Sequence, residues 1–240
     1  MKNSQSGERV LKYSASTRAL HWAHALAFLA LAVTGAFLYF APVSFLARES
    51  WSRMIHRGAA IVFVAAPLVY VLAHWRQSWE SVREALTWTS EDLGWLAAAP
   101  AYYFLGDESS MPPQDHINTG QKMWYLILLI SGAVFIVTGI IMWAFKETLP
   151  SAVFQWSVFV HDIYFVVVSS MFFVHIYLSA LHPLMRQHGG AFSSMISGTI
   201  SANYARTHHE KWYRRVLAQT PTGRPERESA AARQALPKES

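Results

Sequence analysis

Four long runs of apolar residues, separated by polar connections, dominate the chain. A run of about 20 apolar residues is long enough to cross roughly 30 Å of hydrocarbon as an α-helix, because each residue adds about 1.5 Å. The first run follows a polar segment and is too long for the apolar part of a signal peptide, so we interpret it as a retained helix. The pattern therefore predicts four transmembrane helices, over residues 21–41, 54–75, 123–145 and 154–182.

The connections between the runs predict further organisation. Residues 76–122 are too many for a plain loop, and their Trp and Tyr side chains are typical of a membrane interface, so we expect an interfacial helix there. Residues 218–240 contain almost no large apolar side chains, which predicts a disordered tail. We expect an all-α membrane protein, with a four-helix bundle over residues 1–217 and a tail over residues 218–240.

The positive charges indicate how the chain is oriented in the membrane. Four crossings place both termini on one side, and sixteen of the twenty Lys and Arg residues lie before the first run, in residues 76–122 or after the fourth run. Because Lys and Arg accumulate in cytoplasmic loops, we expect both termini in the cytoplasm of a multi-pass inner-membrane protein.

Composition narrows the classes of function. The chain is 52% hydrophobic and only 15% charged, so its basic balance of +5 does not indicate a nucleic-acid-binding module. The sequence has no cysteine, which excludes ordinary iron–sulfur clusters, cysteine zinc sites, disulfides and covalently attached haem in this chain. Other residues must hold any redox cofactor.

A short pattern occurs twice. The first run contains LAVTGAFLYF and the third contains FIVTGIIMWAF, and each is followed by a run that begins near a histidine. Coincidence between apolar strings remains an alternative. Gly35 and Gly139 would let another helix or a flat cofactor approach the backbone.

Histidines inside the runs are the main candidates for chemistry, because a buried imidazole needs a ligand, a hydrogen-bond partner or a water path. His161 and His175 are 14 residues apart, which is about 40° short of four full turns and about 21 Å along a helix. They share one face at opposite depths. With cytoplasmic termini, His56 lies at the depth of His161 near the outer surface, and His21 near the depth of His175.

Two imidazoles on opposite sides of a slot between helices are what axial ligation of a haem iron requires. The outer pair, His56 with His161, has no competitor at its depth. The inner pair stays open from spacing alone, because the cytoplasmic interface also holds His24, His74 and His182. Any of these histidines could alternatively bind only water.

Several stretches then carry a family resemblance. They are YSASTRALHW at 13–22, IHRGAAIVF at 55–63, DLGWL at 92–96, NTGQKMWYL at 118–126, GIIMWAF at 139–145, VHDIYFVVVSSMFFVHIY at 160–177 and HHEKWYRRV at 208–216. The chain resembles the gamma subunit of respiratory formate dehydrogenase, a membrane cytochrome b with two haems. The opening of the third run and the histidine spacing of the fourth are the most specific matches.

The resemblance implies roles for individual residues. It places two b haems in the bundle, the inner one held by His21 and His175 and the outer one by His56 and His161. It also implies a menaquinone site at Asn118 and Gly120, beside the inner haem. On sequence grounds alone, Asn118 or Thr119 could simply cap the third helix, while Gln121 and Lys122 could orient the site or mark the interface.

The same resemblance implies partners and a reaction. Electrons would come from a periplasmic iron–sulfur beta subunit and pass through both haems to menaquinone, with formate oxidised on a molybdenum- or tungsten-containing alpha subunit. Membrane lipid is the other contact, and we expect that the heterotrimer can form a higher oligomer.

Three alternatives remain at this point. The first is the cytochrome b subunit of a related hydrogenase or thiosulfate/polysulfide reductase, and the second is a free-standing diheme cytochrome b. The third is a haem-free anchor or transporter. The chain departs from some family members at Arg57 and at Glu210, where those members have proline; Arg57 could contact a haem propionate or a lipid headgroup.

Overall fold

A computed structural model describes residues 8–47, 50–183 and 190–219. Four helices in this part of the chain are long and apolar enough to cross a membrane, which confirms the predicted four-helix membrane bundle. In chain order the helices are α1 (Ala15–Tyr39), α2 (Ser50–Ala73), α3 (Trp75–Leu86), α4 (Ser90–Leu105), α5 (Thr119–Ala144), α6 (Ser151–Ile176), α7 (Ala191–Ile196), α8 (Ala202–His208) and α9 (Glu210–Gln219). A 3₁₀ helix, Ala41–Ala47, follows α1, and a π-helical turn, Tyr177–Leu181, extends α6.

The membrane helices begin three to six residues before the apolar runs that predicted them. Hydropathy marks only the part of a helix that needs hydrocarbon, whereas the backbone continues until a capping group ends it. The Ser14 side chain accepts a hydrogen bond from the Thr17 backbone N–H at 3.2 Å, so α1 starts in a polar turn.

The bundle is built from two helix hairpins. α1 packs along α2 and α5 packs along α6, whereas the contacts between α1 and α6 are few. An apolar cluster joins the hairpins near mid-span, where Phe28 of α1 contacts Phe63 of α2 and Phe172 of α6. Apart from this cluster, the two hairpins contact each other at few places, so a ligand could lie between them.

The outer surfaces of these helices are apolar. Val69 is 64% exposed and Leu72 is 82% exposed on α2, and Phe173 is 70% exposed on α6. Such surface is stable in lipid because the helix satisfies its own backbone hydrogen bonds there. Together with the four long helices, it identifies a multi-pass membrane protein.

The connection between α2 and α5 contains two helices, α3 and α4, and the location of this segment at the membrane interface stays a prediction. A small antiparallel sheet was not predicted at all: β1 (Arg9–Leu11) pairs with β2 (Thr199–Ser201). This pairing brings the segment before α1 beside the segment after α6. Both segments therefore lie at the same end of the bundle, and their location in the cytoplasm stays a prediction.

The end of the bundle that carries this sheet has its own core. Tyr102 of α4 packs with Ile200 of β2 and with Tyr204 and Tyr213 of the C-terminal helices. Residues 218 and 219 belong to α9, and the rest of the predicted tail, 220–240, lies outside the described residues.

A buried ion pair fixes the start of α5 against α4. Lys122 Nζ lies 2.9 Å from Asp92 Oδ1 and 2.9 Å from the Thr87 carbonyl oxygen. Asp92 also accepts a hydrogen bond from Thr119 Oγ1 at 2.7 Å and from the Thr89 backbone N–H at 2.8 Å, which caps α4. Burial opposes ionisation of Asp92, but the hydrogen bonds from Lys122 and Thr119 outweigh it, and the pKa of Asp92 is lowered. Lys122 is therefore an interhelical tether.

Replacing Lys122 by methionine should destabilise the fold by about 3–5 kcal/mol, because Asp92 would remain buried without its counter-charge. The measurement is the thermal unfolding midpoint in detergent, followed by circular dichroism. In the unchanged protein the pair should stabilise at neutral pH and weaken as the pH falls below the ordinary Asp pKa of about 3.9, since the folded-state pKa is lower still. Lys146→Met is the control, because that lysine is 62% exposed and its contact with Glu147 is long. Equal midpoints for the two variants would contradict the tether.

Candidate functional site

One pair of histidines meets between the hairpins. The rings of His56 on α2 and His161 on α6 have centroids 6.4 Å apart and planes inclined at 53°. A metal–imidazole bond of about 2 Å on each side would place two facing ring centroids roughly 6 Å apart. The predicted outer pair is thus brought to a spacing that suits one metal ion between two imidazoles.

Two threonines fix the protonation of these rings. His56 Nδ1 lies 2.9 Å from Thr34 Oγ1, and His161 Nδ1 lies 2.8 Å from Thr138 Oγ1. Each threonine hydroxyl also donates to a carbonyl oxygen one turn earlier, at 2.6 Å for Ala30 and 2.7 Å for Val134. When the hydroxyl gives its one proton to that carbonyl oxygen, the threonine oxygen accepts from the histidine Nδ1–H. Nε2 of each ring is then the unprotonated nitrogen, as a metal ligand must be.

The repeated V-T-G pattern acquires a meaning from these contacts. Thr34 and Thr138 are the threonines of the two copies, and each holds the first histidine of the helix that follows. The two threonines were not among the predicted site residues, although the V-T-G repeat was the signal that could have indicated them. A β-carbon on Gly35 would touch His56 Cε1 at 3.7 Å, whereas one on Gly139 would meet no atom within 4 Å. The two halves of the bundle therefore present the same threonine–histidine unit.

Three histidines line a second, inner cleft. His21 and His24 of α1 and His175 of α6 line this cleft together. His21 Nδ1 and His24 Nε2 are buried and have no hydrogen-bond partner in the described structure. The remaining wall is apolar and includes Trp124, whose ring stacks on His175 at 4.9 Å with an angle of 9°.

The other two rivals for the inner pair do not line this cleft. His74 lies at the start of α3 and contacts the Tyr70 ring. His182 follows the π-helical turn, where its Nε2 hydrogen-bonds the Tyr103 carbonyl oxygen at 3.0 Å. The alternatives for the partner of His175 are reduced to His21 and His24.

A family model described as prokaryotic cytochrome b561 matches residues 12–198. The chain belongs to this family. Cytochromes b hold haem through side-chain ligands without covalent thioethers, so the cytochrome b561 family accounts for paired histidines in a chain that has no cysteine. The residues present fit the group, because the His56 and His161 rings stand 6.4 Å apart and the inner cleft holds two buried imidazole nitrogens without a hydrogen-bond partner among the described residues.

Similar proteins point in the same direction. One relative is the cytochrome b556(Fdn) subunit of the nitrate-inducible formate dehydrogenase of Escherichia coli K12, 25% identical over 83% of this chain and 88% of the relative. The formate dehydrogenase cytochrome b556 subunit of Haemophilus influenzae is 24% identical over 86% of this chain and 83% of its own length. The cytochrome b556(fdo) subunit of the Escherichia coli K12 enzyme is 22% identical over 89% and 96%. These relatives confirm the resemblance to the formate dehydrogenase cytochrome subunit.

Asn118 caps α5 in this cytochrome b561 family member. Its Oδ1 accepts from the Gln121 backbone N–H at 2.9 Å, and its own N–H donates to Gln121 Oε1 at 2.9 Å. Asn118 therefore caps the helix, as the alternative from the sequence proposed, but capping uses only its Oδ1 atom. The Nδ2 group has no partner in the described structure and remains free to donate to a ligand.

Gly120 is explained by packing. A β-carbon there would lie 2.9 Å from Cη2 of the Trp95 ring, so a larger residue would push α4 away from α5. Trp95 and Asn118 also line a pocket between α4 and the C-terminal segment, together with Tyr102 and His208. The predicted quinone residues thus lie beside an aromatic pocket.

Arg57 lies close to the outer histidine pair in sequence. Its guanidinium is 5.5 Å from the centre of the Trp143 ring on α5. This cation–π contact joins the two hairpins near His56 and leaves the charge at an exposed position.

The HHEKWYRRV stretch supports the Asn118 loop. His209 is fully buried, its Nδ1–H donates to the Asp115 carbonyl oxygen at 2.8 Å, and its Nε2 accepts from Lys12 Nζ at 2.6 Å. Burial lowers the pKa of Lys12 to about 7, and it also lowers the pKa of His209. Arg215 pairs with the Asp115 carboxylate. These contacts bind the segment before α1 and the C-terminal helices to the loop that precedes α5.

Proposed function

We propose that the chain is the cytochrome b subunit of a membrane-bound formate dehydrogenase, carrying electrons from a periplasmic iron–sulfur subunit through two b haems to menaquinone near the cytoplasmic side. The observation that carries the proposal is the outer histidine pair, two imidazoles 6.4 Å apart with threonine-fixed tautomers. The assignment to a formate dehydrogenase is supported by the names of the relatives. The partners are an iron–sulfur beta subunit and a molybdenum- or tungsten-containing alpha subunit that oxidises formate.

Four histidines would hold the two haems. His56 and His161 would hold the outer haem, and His21 and His175 would hold the inner haem. Bound haem supplies one-electron carriage through its iron. The protein fixes the ligand tautomers through Thr34 and Thr138, and the Phe28 cluster separates the two sites with apolar packing.

The quinone would bind where α5 begins. Asn118 Nδ2 can donate to a quinone carbonyl while Oδ1 keeps α5 capped, and the aromatic wall of the pocket suits a flat ring. Gly120 contributes by letting Trp95 pack close to the same turn.

The proposed orientation gives the electron path an energetic consequence. Moving an electron from the positive to the negative side works against about 2.3 kcal/mol per 100 mV of membrane potential. The free energy released between donor and quinone would therefore be stored in the transmembrane potential. Proton uptake on the cytoplasmic side would add to that potential. A hydrogenase or thiosulfate/polysulfide reductase partner would use the same haem ligands, so the partner decides between these assignments.

The complex purified from native membranes in detergent tests the proposal. A pyridine haemochrome assay should give two b haems per copy of this chain, and formate should reduce both in a difference spectrum. Co-purification with an iron–sulfur chain that supports no formate oxidation would contradict the formate assignment. Fewer than two haems in a folded, haem-supplied preparation would contradict the double pair.

A further inference from the structure

One hydrogen-bonded pair of side chains in the Asn118 pocket, Tyr102 and His208, has no role in the proposed function. Tyr102 of α4 is 1% exposed, and its hydroxyl lies 2.7 Å from His208 Nε2 at the end of α8. Both residues line the pocket that reaches Asn118. A hydrogen-bonded phenol and imidazole therefore face the same space as the proposed quinone-binding amide.

The pair continues to an exposed hydroxyl, that of Thr207, which also lines the pocket. His208 is half-buried, and its Nδ1 lies 2.7 Å from the hydroxyl of Thr207, which is exposed. The other ring nitrogen bonds the fully buried Tyr102. The imidazole ring is held flat against Tyr204, with ring centroids 4.2 Å apart and planes at 11°. An imidazole held in this way can take a proton at one nitrogen and release one from the other.

We propose that His208 and Tyr102 form the proton path to the quinone, with Tyr102 as the group that donates in the pocket. This inference rests on the proposed function, because it needs a quinone bound at Asn118. Reduction of one quinone to a quinol consumes two electrons and two protons. The electrons are those of the proposed function, and each proton leaves the Tyr102 hydroxyl, is replaced from His208 and is restored to His208 from water at Thr207.

The surroundings of the pair keep the Tyr102 hydroxyl protonated at neutral pH. Burial raises the pKa of Tyr102, and the neighbouring Tyr103 and Glu108 raise it further. Tyr204 and His209 approach His208 from α8 and from its C-terminal cap, Arg206 lies on the same helix, and Glu108 lines the same pocket. A phenol in this environment does not ionise near neutral pH, so it can donate only if His208 reprotonates it.

A purely structural role must be separated from proton transfer. The Tyr102–His208 hydrogen bond also links α4 to the C-terminal segment, and its loss could disturb packing. Tyr102→Phe keeps the ring and removes only the hydroxyl. Tyr213→Phe is the matched control, because Tyr213 is a buried tyrosine of the same core that does not line the pocket. His208→Gln provides a second, independent variant.

The test uses the detergent-purified complex with its partner subunits, and menadione, a soluble menaquinone analogue, as acceptor. Tyr102→Phe should lower kcat for menadione reduction by roughly a hundredfold, the lower end for a lost general acid, with KM changed by less than about threefold. His208→Gln should lower kcat as well. It should also change how kcat depends on pH, because the group that reprotonates Tyr102 is gone. The control should match the unchanged complex throughout.

The outcomes distinguish this inference from the function on which it rests. Formate-dependent haem reduction without menadione should be unchanged in all variants, and a fluorescent quinol analogue should bind Tyr102→Phe as it binds the unchanged complex. If the unchanged complex reduces no quinone, or if Asn118→Ser leaves quinone kcat/KM unaltered, the proposed function or its quinone site fails. If the unchanged complex reduces quinone and both variants keep its kcat and pH profile, the proton path is wrong. A raised KM with unchanged kcat would also overturn it, since Tyr102 would then only bind.

Discussion

Replacing His175 by alanine is expected to remove the inner haem and to abolish quinone reduction, while formate oxidation with an artificial acceptor continues. Among the described residues that line the cleft between α1 and α6, His175 is the only histidine from α6, so no neighbouring imidazole on that helix can replace it. Loss of an axial ligand from a non-covalent haem removes the protein's hold on the iron from that side. Haem content per chain, by pyridine haemochrome, should fall from two to one.

The same measurement decides which α1 histidine is the second ligand. His21→Ala should reproduce the loss caused by His175→Ala, whereas His24→Ala should keep both haems. His74→Ala is the control, because His74 lies outside the cleft. Unchanged quinone reduction in His175→Ala would refute the inner site. Haem loss in His24→Ala, with retention in His21→Ala, would reassign the ligand.

The membrane helices could be predicted because each one carries its own signal. Hydrocarbon requires about 20 apolar residues in a row, and the four runs gave the four helices. Their ends could not be read from hydropathy, because caps such as Ser14 and Asn118 are polar. The β1–β2 sheet could not be predicted either. Three-residue strands separated by more than 180 residues leave no periodic pattern.

The histidine pairs were accessible from the sequence to different degrees. The helical repeat placed His56 and His161 at one depth with no rival, and the structure brings their rings together. At the other depth, His21 and His24 lie less than one turn apart on α1, and both reach the cleft. Depth alone cannot choose between neighbours on one helix. The rotation of α1 and the side-chain torsion angles determine which histidine binds, and neither can be predicted from the spacing of the histidines.

The role of Thr34 and Thr138 could not be predicted from the sequence, for a different reason. A threonine in an apolar run usually bonds its own helix, and Thr34 and Thr138 do so through Ala30 and Val134. Their second contact, to a histidine on the next helix, depends on how the hairpins pack. Only the repeat of V-T-G before two histidine-bearing helices could have indicated it. The Asn118 loop was likewise recognisable by resemblance, whereas its support by His209 and Lys12 required the fold.

The second large effect is expected at the outer pair. His161→Ala should remove the outer haem and stop electron transfer from the partner to quinone, because the proposed path begins there. Thr138→Val should be milder and more informative. It keeps the side-chain shape but removes the acceptor for His161 Nδ1–H, so the ring loses its fixed tautomer and orientation. Partners of metal-bound histidines typically contribute 10–100-fold to metal affinity, so the outer haem of Thr138→Val should be lost about that much more readily to apomyoglobin.

A spectroscopic readout separates tuning of the haem from simple loss of stability. A histidine that donates Nδ1–H to an oxygen is a stronger electron donor to its metal, so the midpoint potential of the outer haem should rise in Thr138→Val. Thr138→Ser restores the hydroxyl and should restore the potential. Thr148→Val, which changes an exposed threonine that bonds only the Phe145 carbonyl oxygen, should leave it unchanged. If Thr138→Val loses haem but the haem that stays bound keeps its midpoint potential, Thr138 contributes packing and does not tune the haem. Since Thr34 holds His56 in the same way, Thr34→Val should shift the same haem, and the inner haem should keep its potential in both variants.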